Sequence, residues 1–213
     1  MLTNIDIEAY EQEMAGAYIM TLSGRKFYPF SPDPIDVDLG DIAAALSKSC
    51  RYSGHTPGFY SVAEHCVKAS ETLEQLLPRG LTPANATAIT WALLHDASEA
   101  YLNDLPRPIK NYMPQYVLIE NKIQDAILDA FGMELTPKEA DQVHKVDAAM
   151  LFFEKDGFGW QDREWQLQPN SYYHMARLKK AIPEIEFWSP KEAEQAFINR
   201  FEKVTADEWH RAA

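Results

Sequence analysis

His95, Asp96 and Glu99 stand together in WALLHDASEAYL, a segment whose other residues are mostly apolar. His95 and Glu99 are four residues apart and share a helix face, while Asp96 lies about 100° round from His95 and three residues before Glu99. One turn therefore aims an imidazole and two carboxylates at a common region. Such a cluster is costly to bury unless the charges meet each other or a cation. A divalent ion satisfies that need, and two further ligands are available: His65 at the end of SVAEH, and Asp147, a lone acid entering the apolar run of HKVDAAMLFF. Two nitrogens and two oxygens suit Zn²⁺, Mn²⁺, Co²⁺ or Fe²⁺ better than Mg²⁺, which prefers all-oxygen shells. This set leaves positions open for water and a substrate oxygen. A single helical histidine is more often a core or surface residue than a ligand, and His144, His174 and His210 are read that way.

The ligands fall in the order His, His-Asp, Asp, with 30 residues between the histidines and 51 between the aspartates, so three helices must meet to position them. Proline contexts mark where helices start. Thr82-Pro83, Thr136-Pro137 and Ser189-Pro190 each place a hydroxyl before a proline at the first helical position. Thr136 with Glu139 and Ser189 with Glu192 add the capping-box spacing, and Asp38 with Asp41 is a looser version. These signals predict helices over 39–49, 59–77, 83–102, 115–131, 137–156 and 190–204, with another near 172–182. Val62, Cys66, Ala69, Leu73 and Leu76 share one face, as do Ile119, Ile123, Ile127 and Phe131. One strand pair is expected, Tyr18 to Leu22 and Phe27 to Phe30, around Ser23-Gly24. Periodicity fails over residues 157–168, giving a loop in which Trp160 and Trp165 form either a packed flap or a binding surface. The expected fold is all-α: one helical domain over residues 1–213 with a small N-terminal β-hairpin.

Composition narrows the partners. The 213 residues carry 20 Lys and Arg against 32 Asp and Glu, a formal charge of -12. That balance argues against long nucleic acid, which is held by surplus basic residues. It leaves room for a small anion in a pocket made locally positive by an ion and a basic side chain. No stretch approaches the roughly 20 apolar residues of a bilayer span, and the acidic N-terminus lacks a secretory pattern. A cytoplasmic location with no membrane partner is expected. Cys50 and Cys66 are read as buried small hydrophobes.

On these residues the chain resembles the HD-domain phosphohydrolase superfamily, which is all-helical and holds its metal with an H…HD…D set. The segments CRYSGHTPGFYSVAEH (50–65), HDASEAYLNDLPRPIK (95–110), YVLIENKIQ (116–124) and KVDAAM (145–150) look like its 5′-deoxynucleotidase branch and phage relatives, one of them a dATP triphosphohydrolase. The resemblance covers about residues 18–155. It implies metal ligation by His65, His95, Asp96 and Asp147, and a proton-transfer role for Glu99. It further implies a phosphate-binding fork at Arg51, a base or sugar contact at Tyr52, and a carboxylate at Asp104 near the sugar hydroxyl or a second divalent cation. Read locally, Asp104 is equally a cap or turn acid before Leu105-Pro106. Lys110 and Arg107 follow within reach of phosphate.

The implied activity is metal-dependent hydrolysis of 5′-(deoxy)nucleotides, first of monophosphates, with triphosphate release from a deoxynucleoside triphosphate as the alternative. Alarmone hydrolysis would call for an acidic pair where this chain has Glu99-Ala100, and the cyclic-dinucleotide branch for a GYP tripeptide that is absent. The rivals of another class are a nucleotide-binding module without turnover and a purely structural helical protein. The resemblance also implies a homo-oligomer. Ala193, Ala196, Phe197 and Phe201 of the last helix would form either its interface or a face packed on the chain's own core.

Overall fold

A computed structural model describes residues 16–160 and 175–209. It is all-α with one small hairpin, as the sequence predicts. Strands β1 (Ile19–Met20) and β2 (Lys26–Phe27) pair antiparallel, Ile19 opposite Phe27, with Gly24 at φ 82° in the turn. They are shorter than expected because Pro29 has no amide to donate and Ser31 turns back onto the Tyr28 carbonyl. The hairpin is fastened to helix α1 (Leu39–Leu46) by Asp41, which accepts the amide and the hydroxyl of Ser23, both at 2.7 Å. Asp38 caps α1 by accepting the Asp41 amide, but the reciprocal half of the box is not made, since the Asp41 carboxylate is spent on the hairpin.

Helices α2 (Val62–Leu76) and α3 (Ala86–Leu94) form the centre of the molecule. Ser61 caps α2, so the helix begins after residue 59 as a bend closes. The expected continuous helix over 83–102 is broken. Residues 83–85 form turns that lead into α3, and a run of turns after Leu94 separates it from the short α4 (Glu99–Leu102). The physical reason is a side chain in the helical ladder. Gln124 donates to the Leu94 carbonyl (2.9 Å) and accepts the Ser98 amide (3.2 Å), standing where the α-helical bond between those two residues would be.

A short α5 (Arg107–Lys110) precedes α6 (Pro114–Ala130), α7 (Pro137–Gly157), α8 (Met175–Ala181) and α9 (Pro190–Trp209). Both capping boxes form, Thr136 with Glu139 and Ser189 with Glu192. One apolar cluster joins Phe27, Ile42, Leu46, Cys66, Leu93, Ile123, Ile127 and Phe197. A second joins Leu73, Ile89, Val146, Met150, Leu178 and Val204 on the other side of α2 and α3. Ala193, Phe197 and Phe201 are buried, which settles the last helix as a core element packed on α1, α2 and α3. Cys66 is buried as expected, whereas Cys50 is only partly so. No helix among the described residues is long and apolar enough to cross a membrane.

Candidate metal centre

The three expected helical segments do meet. His65 from α2, His95 and Asp96 from the turn after α3, and Asp147 from α7 bring their donor atoms together. His65 Nε2 is 3.4 Å from His95 Nε2, 3.7 Å from Asp96 Oδ2 and 3.3 Å from Asp147 Oδ1. His95 Nε2 is 3.4 Å from Asp96 Oδ2 and 3.8 Å from Asp147 Oδ1. Ligand bonds of about 2.0–2.2 Å put neighbouring donors about 3.0–3.5 Å apart around one ion; three of these distances fall in that range and two lie a few tenths of an ångström above it. Each imidazole is oriented through its other nitrogen, His95 Nδ1 at 3.0 Å from the Ala92 carbonyl and His65 Nδ1 at 2.6 Å from Glu154 Oε1. Such outer partners fix the tautomer of ligating histidines.

Glu154 was not singled out in the sequence. It is buried, and its carboxylate also accepts the hydroxyls of Tyr60 (2.7 Å) and Tyr52 and faces Arg51 Nη2 at 3.5 Å. Burial raises its pKa, but Arg51 and His65 outweigh that and bring it to about 2. Burial and the Glu154 charge push both tyrosines up, so they remain donors. A signal existed, since Glu154 is seven residues after Asp147 and so lies on the same face of α7.

Arg51 reaches the centre from a loop whose base is pinned by the Arg51 amide on the Tyr60 carbonyl and the Val62 amide on the Ser49 carbonyl. Tyr52 and Ser53 both have left-handed backbones (φ 55° and 52°), uncommon for residues with a Cβ. That tight turn lets Arg51 and Tyr52 face Glu154 together. Arg51 Nη1 is 3.3 Å from Asp96 Oδ2, and its buried Nε has no hydrogen-bond partner among the described residues. Tyr52 turns toward Glu154. Its hydroxyl is committed to Glu154, and its ring lies edge-on to Phe158 and Trp160. Trp160 thus belongs to a packed aromatic group, while Trp165 and His174 lie outside the described residues, as does His210; His144 is exposed.

Glu99 is buried near the ligands, and its Oε2 lacks a hydrogen-bond partner among the described residues. Burial, reinforced by Asp96 and Asp104, holds its carboxyl well above the usual carboxylate range. Asp104 is half-buried and also raised, chiefly by burial, with Arg51, Asp96, His65 and Lys110 as its electrostatic neighbours. It is not a helix cap: α5 follows Pro106 with no side-chain cap. Lys110 donates to Glu120 at 2.6 Å and sits 4.0 Å from Glu99, so its charge is shared with two acids. Arg107 is mostly exposed and lies 3.8 Å from Asp147 Oδ2.

The donor chemistry fits a divalent ion. Burial disfavours protons on His65 and His95, yet the surrounding acids raise both histidines, while the histidines hold Asp147 well below its usual range. The cluster thus draws positive charge to itself. Cys66 also comes near His95 and Asp96, but burial pushes its thiol up to about 11, and metals bind the thiolate. The nitrogen and oxygen set is the better match.

The fold and site define a mostly helical protein with a partly buried histidine and aspartate cluster that could hold a divalent metal. No family model matches the chain. It is 38% identical over 146 residues to the uncharacterized protein YfdR of Escherichia coli (strain K12), covering 68% of this chain and 75% of that protein. It is 35% identical over 123 residues to the uncharacterized protein RCAP_rcc00048 of Rhodobacter capsulatus, covering 56% of this chain and 61% of that relative. The chain belongs to the YfdR family.

Proposed function

We propose that the protein is a metal-dependent phosphohydrolase of the HD-domain type that acts on 5′-(deoxy)nucleotides, releasing nucleoside and phosphate from monophosphates. The observation that carries this reading is the approach of Asp96 and Asp147 carboxylate oxygens to the Nε2 atoms of His65 and His95, themselves 3.4 Å apart, at 3.3–3.8 Å, beside a buried acid and a buried arginine that each keep a polar atom without a hydrogen-bond partner among the described residues. His65, His95, Asp96 and Asp147 would hold a divalent transition ion. When bound, such an ion acts as a Lewis acid, making water more acidic and polarising the phosphorus centre.

The chain's own groups supply the rest. Glu99, buried beside the candidate ligands with one carboxylate oxygen unpartnered among the described residues, takes a proton from the water that attacks phosphorus. The phosphorus–oxygen bond to the sugar breaks, and the leaving oxygen receives that proton. Arg51 faces the non-bridging phosphate oxygens with a planar fork, held by Asp96 on one side and Glu154 on the other. Glu154, with Tyr52 and Tyr60, keeps Nε2 of His65 turned toward the other ligands. Asp104 would meet a sugar hydroxyl and Lys110 a further phosphate oxygen.

The test uses protein stripped with chelator and refilled with Mn²⁺, Co²⁺ or Zn²⁺, incubated with mono-, di- and triphosphates of ribo- and deoxynucleosides. Orthophosphate and nucleoside from the monophosphates are expected. Triphosphate release would move the reading to a triphosphohydrolase, and no metal-dependent turnover on any substrate would overturn it. Glu99→Gln should lose about 100-fold or more in turnover while retaining the metal.

A further inference from the structure

Residues 116–124 stood out in the sequence, yet none of them is a ligand. Gln124 lies on α6, partly buried, and its carboxamide occupies the break between α3 and α4. Its Nε2 donates to Leu94 O at 2.9 Å, and its Oε1 accepts from Ser98 N at 3.2 Å. Leu94 immediately precedes His95, and Ser98 follows Asp96 by two residues, so the carboxamide brackets both metal ligands of this turn. The Leu94 carbonyl also accepts the Ala97 amide at 2.9 Å, so the group that depends on Gln124 most is the amide of buried Ser98, where a donor without a partner is expensive. Beyond the break the ladder is tighter: the amides of Glu99, Ala100 and Tyr101 each reach back three residues, to Asp96, Ala97 and Ser98. The turn that carries His95, Asp96 and the start of Glu99's helix therefore takes its shape from a side chain of another helix.

We infer that Gln124 is a positioning residue for the metal centre: its carboxamide sets the His95–Asp96 turn and thereby the affinity and geometry of the bound ion. This rests on the metal-centre reading above and deepens it. A purely structural stitch between α6 and α3 would also be stabilising, but its loss would leave the ion's environment unchanged. The two roles separate on a spectroscopic signal.

Chelator-stripped full-length protein is titrated with Co²⁺ alone, following visible absorption, for the wild type, Gln124→Met and Gln124→Glu. Met has similar length and can neither donate nor accept at this site; Glu keeps an oxygen for Ser98 N and loses the donor for Leu94 O. Glu74→Gln, which loosens an ion pair with Arg200 away from the site, serves as the stability control. Removing the two bonds should lower the metal-free melting temperature by about 2–8 °C. The expected result is a Co²⁺ Kd weakened about 10- to 100-fold with altered band positions in the folded Gln124 variants, and neither change in Glu74→Gln. A folded Gln124 variant with wild-type affinity and spectrum overturns the inference and leaves the metal centre standing. A wild type that binds no Co²⁺ overturns the metal centre itself. If Gln124→Met does not fold, Gln124→Glu decides.

Discussion

Glu64 and His65 are neighbours on α2, both fully buried, and each anchors a polar network of a different kind. The Glu64 carboxylate accepts the amides of Glu186 and Trp188, both at 2.8 Å, and lies 3.5 Å from Lys68, itself buried against the Trp188 ring. Phe187 between those amides has φ 55°, which turns both toward the carboxylate. Its ring also lies where a Cβ on Gly58 would come within 2.8 Å, so a larger residue there would force the ring to shift. That network ties the segment before α9 to α2. The His65 network begins as firmly, on Glu154 and two tyrosines, but ends at donor atoms aimed at one another and at unpartnered atoms of Arg51 and Glu99. Most buried polar groups in native proteins find a protein or water partner; among the described residues Thr90, Tyr101 and Arg200 also keep an unpartnered atom, but only Arg51 and Glu99 do so beside converging histidines and aspartates. One residue of displacement along a helix separates a structural clamp from a candidate metal centre.

Substitutions at the two networks should therefore fail differently. Asp96→Ala should lose bound metal and turnover together, exceeding the roughly 10- to 100-fold effect of an outer partner; elemental analysis after dialysis, paired with a phosphate-release assay, measures both. Glu64→Leu should destabilise by about 2–5 kcal/mol by removing the acceptor of the Glu186 and Trp188 amides and leaving Lys68 paired only with the exposed Glu186, read by urea unfolding. In the fraction that remains folded, Co²⁺ affinity should be unchanged, and a loss of affinity there would erase the distinction between the networks. Glu154→Gln should weaken metal binding about 10- to 100-fold with a smaller change in stability.

The smallest effect is expected far from both, at the hairpin. Burial raises the Asp41 carboxyl, but the hydrogen bonds from Ser23 hold it below its usual range. Its contribution is thus present above the unfolded carboxylate pKa of about 4 and is lost as pH falls through the lower folded value. Asp41→Asn should cost about 1–3 kcal/mol at neutral pH and flatten the acid limb of a stability-against-pH curve.

The four candidate ligands were legible because each is a histidine or acid set in or beside an apolar helical run, and the helix starts because proline and its capping hydroxyl are local signals. The long-range partners were not. Glu154 sits in EKDG, where an acid reads as the solvated end of a helix; only its pairing with His65, 89 residues away, gives it meaning. Glu64 and Lys68 share α2 with apolar neighbours, yet their partners come from residues 186–188. The break after Leu94 depends on Gln124, so propensity alone ran the helix through it. Local chemistry is written in neighbouring residues, whereas the groups that orient it come from elsewhere in the chain.

The most direct measurement is the stoichiometry of Co²⁺ binding to the stripped full-length protein, by calorimetry and visible absorption, beside Asp96→Ala. One saturable ion per chain is predicted for the wild type and none for the variant. No saturable binding, or equal binding by both proteins, would contradict a metal centre at His65, His95, Asp96 and Asp147.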